Sequence, residues 1–326
     1  MIDWARFASL IHFHQRFLLT SHIRPDCDAL GSELGMAGLL DALGKDVLIV
    51  NAQKTPPNLA WIDTARRIKT LGVDVQLPDL ADREVMLVLD TSAWQQLGDM
   101  AIVLRQTTAK KAVLDHHVSE DDLGAEAFKN VQAEATGRLV LEAAGWLGVP
   151  LTPEIATPLF AAIATDTGWF RFSSTTGDTY RFAGKLIDGG AKPTEIYRSL
   201  YEQDTLARLQ LIGRTLARAQ SEMVGRLIHT TVFQDDFKAT AALPSDTEDV
   251  VNLTLTVAGT EVAVIFVEQP NGKFKISFRS RSSFDCSRLA EQFDGGGHKA
   301  AAGAMVDGPF DAAQRRVLDA VRAAMR

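Results

Sequence analysis

The 326-residue sequence has only two cysteines, Cys27 and Cys286, far apart in the chain. That pair gives no disulfide framework and fits a reducing compartment such as the cytoplasm. No apolar run reaches 18 residues, so no segment reads as a membrane-spanning helix. Residues 1–12 carry an acid and no compact apolar region, and read as an amphipathic helix rather than a secretory signal. Basic excess is missing too: 34 Lys and Arg stand against 41 Asp and Glu, a net charge of −7. Proteins that neutralise many phosphates show a basic footprint. The balance therefore excludes a long nucleic-acid track and leaves room for a few nucleotides or fewer. Internal repeats and low-complexity segments are absent. Histidine is scarce, with 7 in the chain, so two adjacent histidines carry weight.

Hydrophobic residues make up 46% and charged residues 23%, ordinary values for a globular protein long enough for two domains. The adjacent histidines close the apolar run Lys111-Ala-Val-Leu114 as Asp115-His116-His117. Burying a strand that ends in three such side chains is costly unless something occupies the space between them. A second run, Phe17-Leu-Leu-Thr20, leads into His22, Asp26 and Asp28, expected on a strand-to-helix loop before the helix around Leu34. There Pro25 should push Arg24 toward an extended conformation, and Gly31 should permit close approach at the helix start. A third run, Val85-Met-Leu-Val-Leu89, ends at Asp90. Asp166 lies in Phe160-Ala-Ala-Ile-Ala-Thr-Asp166, which reads as a helix.

Apolar strands separated by helical segments predict an open parallel α/β sheet, where ligands bind beyond the carboxyl ends of the strands. Carboxylates crowded at that edge repel one another unless cations neutralise them. Mixed carboxylate and imidazole donors suit octahedral Mn²⁺ or Mg²⁺ better than tetrahedral zinc. An aspartate shared by two ions about 3.5–4 Å apart is the usual device for phosphoryl displacement. The chemistry implied is phosphoester hydrolysis.

In order and context, His22-x-x-x-Asp26-x-Asp28, Asp90, Asp115-His116-His117 and Asp166 resemble the four motifs of the DHH phosphoesterase superfamily. Phe293-Asp294-Gly295-Gly296-Gly297-His298 resembles the signature of its DHH-associated C-terminal domain. The arrangement looks most like the short stand-alone branch of nano-RNases, oligoribonucleases that also act on 3′-phosphoadenosine 5′-phosphate (pAp), and less like the longer RecJ exonucleases. The resemblance implies that His22, Asp26 and Asp90 hold one Mn²⁺. Asp28, Asp90, His116 and Asp166 would hold a second, with Asp90 bridging; Mg²⁺ or Co²⁺ are substitutes. His117 is then free to act on the scissile phosphate, and Asp115 to orient a histidine. One departure is Cys27, where a small residue or proline is expected; the plainer reading turns it away from the ions.

The domains are expected at 1–185 (catalytic), 186–221 (helical linker, with a hinge near Gln203 and Asp204) and 222–326, a smaller mixed α/β domain that binds substrate. In the last, residues 226–233, 261–267 and 273–279 read as strands, the final two joined at Asn271-Gly272. Asp285 caps a helix, and another closes the chain from about Asp311. Three glycines in a row let backbone amides approach an anion, as a nest or helix start. Gly295, Gly296, Gly297 and His298, with Arg279 and Arg281, are the expected substrate-binding residues. His12, His14 and His229 read as structural. Trp169, Phe170 and Phe172 read mostly as core, whereas Thr165, Thr167, Arg171 and the run Ser173-Ser174-Thr175-Thr176 are positioned to meet substrate in the cleft.

The expected activity is therefore hydrolysis of short RNA, about two to five nucleotides, to mononucleotides, with removal of the 3′-phosphate of pAp beside it. A linear or cyclic dinucleotide phosphodiesterase is the alternative. A manganese pyrophosphatase and a non-catalytic nucleotide sensor rank behind. The expected partners are short RNA or nucleotides, with no membrane, and a homodimer is one assembly the sequence leaves open.

Overall fold

A computed structural model describes residues 2–118 and 121–326, which divide into two compact units, Met1–Gln203 and Asp204–Arg326. The stretch expected as a linker is shared between them. Leu186 and Ile196 are buried in the first core, and Leu211 in the second.

The first unit runs α1 (Trp4–Phe13), β1 (Arg16–Thr20), α2 (Cys27–Ala42), β2 (Asp46–Asn51), β3 (Ile68–Thr70), β4 (Val85–Leu89), α3 (Met100–Gln106), β5 (Lys110–Asp115) and β6 (Glu126–Lys129). It finishes with α4 (Thr136–Leu147), α5 (Pro153–Asp166), α6 (Gly177–Asp188) and α7 (Pro193–Tyr201). Its six strands form the expected parallel sheet, in the order β3-β2-β1-β4-β5-β6. Both faces are covered, so the strands are apolar throughout. Phe17, Leu19, Leu87 and Leu89 face one core with α2, α4 and α5, while Leu18, Met86 and Val88 face the other with α3.

From β1 the chain builds outward to β2 and β3, then returns to lay β4 on the other side of β1. The order reverses between β1 and β4, and such a reversal opens a crevice beyond the strand ends. His22 follows β1, Asp90 follows β4, and Asp115 ends the adjacent β5.

Two expectations about the first loop change. The helix starts at Cys27, because the Asp26 side chain caps it by accepting from the Asp28 and Ala29 amides; Asp28 therefore sits on the first helical turn. Arg24 is left-handed (φ 54°) rather than extended, with its amide bonded to the Gln53 side chain at 2.7 Å.

Close packing of α2 on α5 then brings Asp166 across. Gly31 faces Pro158 and Ala162, Gly35 faces Leu159, and Gly38 faces Ile155. Rising numbers on one helix meet falling numbers on the other, so the helices run antiparallel, and Asp28 at the start of α2 meets Asp166 at the end of α5. The close approach expected of Gly31 is present: a Cβ there would overlap the Pro158 carbonyl oxygen.

The second unit comprises α8 (Leu206–Ala217), β7 (Gln220–Glu222), β8 (Leu227–Val232), α9 (Gln234–Thr240), α10 (Val250–Thr254), β9 (Val262–Glu268), β10 (Phe274–Ser280), α11 (Cys286–Glu291), β11 (Gly296–His298), β12 (Ala301–Val306) and α12 (Phe310–Ala324). Its mixed sheet has the order β11-β12-β10-β9-β8-β7. The three expected strands and the Asp285 cap are present. The triple-glycine stretch, however, forms no helix start. It becomes an exposed edge strand paired antiparallel with β12, because Gly295 and Gly297 let the two backbones approach where any side chain would overlap β12. No helix among the described residues is long and apolar enough to cross a membrane.

Gly31→Ala should force α5 away from α2 and lower stability by about 1–3 kcal/mol, read from chemical denaturation, with weaker binding of divalent cations. Unchanged stability and cation binding would show that this contact does not set the spacing.

Candidate metal centre

The strand ends and the two helices converge on one cluster. His116 Nε2 lies 3.7 Å from Asp28, 3.5 Å from Asp90 Oδ1 and 3.6 Å from Asp166. His22 Nε2 lies 3.4 Å from Asp90 Oδ2 and 3.9 Å from Asp26. The two oxygens of Asp90 thus face different histidines. Each histidine is oriented through its other ring nitrogen, His116 Nδ1 to the Ala133 carbonyl (3.1 Å) and His22 Nδ1 to the Ile23 carbonyl (3.0 Å). That leaves the Nε2 lone pairs aimed at the carboxylates. All six expected ligands come together in donor sets whose atoms lie within 4.8 Å of one another.

Electrostatics give the cluster its character. Asp28 and Asp90 are buried. Burial pushes both carboxyls up, and their mutual repulsion adds to this for Asp90, which lies well above the usual range. The backbone of Asp90 is itself left-handed (φ 64°), a conformation that Asp tolerates better than most residues. Asp115 is equally inaccessible yet behaves oppositely. Burial would raise it, but bonds from His117 and Ser92 and the charge of Lys129 (3.1 Å) bring it down to about 2. Ionised Asp115 accepts from His117 Nδ1 at 2.9 Å and raises the imidazole's affinity for protons. Its partner is thus His117 rather than a histidine at the centre of the cluster.

Cys27 is buried among core residues, its thiol pushed up to about 12 by burial. It is absent from every donor set among the described residues.

Some contributors carry no sequence motif. Thr136 and Gly137, at the start of α4, donate their amides to Asp28 at 2.7 and 2.8 Å, and the Thr136 hydroxyl donates to Asp90 at 2.9 Å. The nearest signal is Thr-Gly opening a helix with no capping side chain. Lys129 at the end of β6 and Ser92 just past Asp90 support Asp115.

In the second unit, Arg279 pairs with Ala301 and Ala301 with His298. Arg279 and His298 therefore share a row and a face, two strands or about 10 Å apart. Arg281 does not join them. Its Nε donates to the Thr260 carbonyl and an Nη to that of Val257 at 2.8 Å, so its fork is committed to the backbone.

Buried carboxylates and oriented imidazoles at the switch point of a parallel sheet define a metal-dependent phosphoesterase. The comparisons agree. The family model described as "DHH family, N-terminal domain" matches residues 16–163, and that described as "DHHA1 domain" matches residues 237–326. The chain is 30% identical over 310 residues to the bifunctional oligoribonuclease and PAP phosphatase NrnA of Thermus thermophilus, covering 93% of this chain and 88% of that one. To the protein of the same name in Bacillus subtilis it is 25% identical, with 95% of each chain covered. The structure of an exopolyphosphatase-related protein from Bacteroides fragilis shares the fold, with TM-score 0.83, 24% identity and coverage of 98% and 95%. Exonuclease RecJ bound to manganese is more distant, with TM-score 0.54, 15% identity and coverage of 99% and 95%. The chain belongs to the DHH phosphoesterase family, with a DHHA1 domain at its C-terminal end, and is a hydrolase of phosphoester bonds.

Burial, then the Asp28 charge, raises the Asp166 carboxyl to about 6. For an acid raised on folding, stability is full below the unfolded value and is lost as pH rises through the folded one. A bound cation replaces those protons, so Mn²⁺ should raise Tm far more at about pH 7.5 than at about pH 5. Scanning fluorimetry reads the difference, and equal shifts at both pH values would detach cation binding from this cluster.

Proposed function

We propose that the protein is a two-manganese phosphoesterase that hydrolyses short RNA, about two to five nucleotides long, to mononucleotides, and also removes the 3′-phosphate of pAp. The observation that carries this reading is the division of Asp90. One oxygen faces His22, in a set completed by Asp26, and the other faces His116, whose Nε2 also lies 3.7 Å from Asp28 and 3.6 Å from Asp166. Asp90 thus lies between the set of His22 and Asp26 and the set that His116 forms with Asp28 and Asp166, and oxygen-rich donors with one imidazole in each suit Mn²⁺. When bound, the pair supplies activation of water and stabilisation of charge on both the entering and the leaving oxygen. The relatives named as oligoribonuclease and PAP phosphatase support the substrate class, and the net charge of −7 favours short substrates.

The chain's own groups do the rest. Asp115 fixes the ring of His117, whose Nε2 is left to donate to a non-bridging oxygen of the scissile phosphate and stabilise the charge that develops there. The acidity of Asp115 keeps that proton on His117. In the second unit, Arg279 and His298 offer donors along one sheet edge for substrate phosphate or base, with the glycines keeping that edge free of side chains.

Mononucleotide release from di- and tetranucleotides and from pAp, with cyclic dinucleotides, pyrophosphate and long RNA left nearly intact, is the expected profile with Mn²⁺. Processive degradation of long RNA, or hydrolysis confined to cyclic dinucleotides, would overturn it. Asp90→Ala should abolish turnover in a folded protein and lower manganese content. His117→Ala should keep the metal and lose on the order of 10²-fold in kcat, whereas His116→Ala should lose metal. Equal metal loss from both histidine variants would refute their separate roles. His298→Ala and Arg279→Ala should impair dinucleotide cleavage while sparing a simple chromogenic phosphodiester.

A further inference from the structure

Strands β1 and β2 run in register from Arg16 opposite Asp46 to Leu19 opposite Ile49. Continued past Thr20, that register sets Ser21 against Asn51, and there a side chain takes over from the backbone. The Asn51 carbonyl serves the β3 side, accepting from the Leu71 amide at 2.9 Å. Its side-chain oxygen serves β1, accepting from the Ser21 amide at 3.0 Å and the Thr20 hydroxyl at 3.3 Å. A backbone amide can only donate, so this atom is the acceptor Oδ1 and the other is the donor Nδ2. Nδ2 in turn donates to Glu33 Oε2 at 2.9 Å.

Glu33 reaches this point from α2. Gly31 and Gly35 on that helix face α5, and residue 33, about half a turn from each, points the other way. Asp28 lies about 140° around the helix from Glu33 and is held by Thr136, Gly137 and Ser32 instead. Glu33 and Asn51 are both buried. Burial pushes the Glu33 carboxyl up to about 8, so near neutrality it is an uncharged acceptor. Its other oxygen, Oε1, is buried without a hydrogen bond. A fully buried acid that takes no part in the metal cluster calls for a reason.

Ser21 immediately precedes His22. On the other side of His22, the Ile23 amide donates to the Gln96 carbonyl at 2.6 Å. The backbone of the histidine is thus pinned by one bond on each side, and the Ser21 bond depends on how the Asn51 amide is turned. Removing the acceptor at Nδ2 leaves a buried amide unpaired. Rotation of that amide toward another partner then gives up the Ser21 bond.

We propose that Glu33 is a positioning residue which, through Asn51 and Ser21, aims His22 at the cation site it forms with Asp26 and Asp90. The inference rests on the two-ion reading above and deepens it, by naming a residue that tunes one site of the pair. Among the described residues, the hydrogen bonds that link Glu33, Asn51 and Ser21 do not reach His116, Asp28 or Asp166. The effect of Glu33 therefore falls on the His22 site.

The test titrates Mn²⁺ by calorimetry into wild type, Glu33→Met, Glu33→Gln and Asn51→Ala, with His22→Ala and His116→Ala marking the two binding steps. Glu33→Met should weaken the step that His22→Ala weakens by about 10–100-fold, and the step that His116→Ala weakens by less than about 3-fold. Glu33→Gln supplies the same uncharged acceptor and should keep wild-type affinity. Exchange of the Ser21 amide hydrogen before Mn²⁺ is added should quicken in Glu33→Met and not in Glu33→Gln. Asn51→Ala cuts the chain one link later and should match Glu33→Met, carrying the test where Glu33→Met does not fold. Equal weakening of both steps, or an unchanged His22 step, would overturn the assignment. So would a Glu33→Gln protein as weak as Glu33→Met. Uptake of a single ion by wild type would sink the two-ion reading. Positioning would then stand where that one affinity drops in Glu33→Met and holds in Glu33→Gln, and would fall where it does not.

Discussion

Asp28 and Asp90 are buried together, and among the described residues the charged partners within ion-pair distance of them are histidines. Two carboxylates in a medium of low polarity with no lysine or arginine beside them are strongly unfavourable. The surrounding architecture acts on this pair. The reversal of strand order brings Asp90 beside the loop after β1, and the glycine contact of α2 with α5 brings Asp28 to Asp166. The start of α4 supplies two amides and a hydroxyl. These donors lower the burden without removing it, since both carboxyls remain pushed upward. A divalent cation held there would remove the rest and would couple folding of the site to its loading.

Asp115 shows the alternative at the same sheet edge. It is as inaccessible as Asp28 but is met by Lys129, Ser92 and His117, and so stays acidic at about 2. One acid is satisfied by the protein and tunes a histidine, while its neighbours keep a burden of charge that a divalent cation would relieve. Environments that push like groups apart in proton affinity are how one edge supports different roles.

The second unit uses glycine to a related end. Gly296 and Gly297 join the sheet as an edge strand that ends at His298, so its donors are set by register, with His298 and Arg279 in one row. Arg281 is two residues from Arg279 yet spends its fork on carbonyls. Arg279 donates one Nη to the Phe278 carbonyl at 3.1 Å, whereas Arg281 commits Nε and an Nη, so near-identical side chains differ in the donors they keep.

The residue types themselves determined the parallel α/β class, the six metal-competent groups and the phosphoester chemistry. Asp90 and His116 close apolar strands, Asp166 ends a helix, and His22, Asp26 and Asp28 lie between an apolar run and the start of the next helix, and such local order is written in the chain. Tertiary structure decided the rest. The helix beginning at Cys27 depends on the Asp26 cap, and the left-handed Arg24 on the reach of Gln53. Thr136 meets Asp28 across 108 positions, a distance over which no periodicity carries information. The split of Asp90 between two histidines, the strand made by a glycine run expected as a nest, and the left-handed turn at 168–170 follow from packing. Packing selects among conformations that local sequence leaves close in energy, and here the winning contacts come from residues far along the chain.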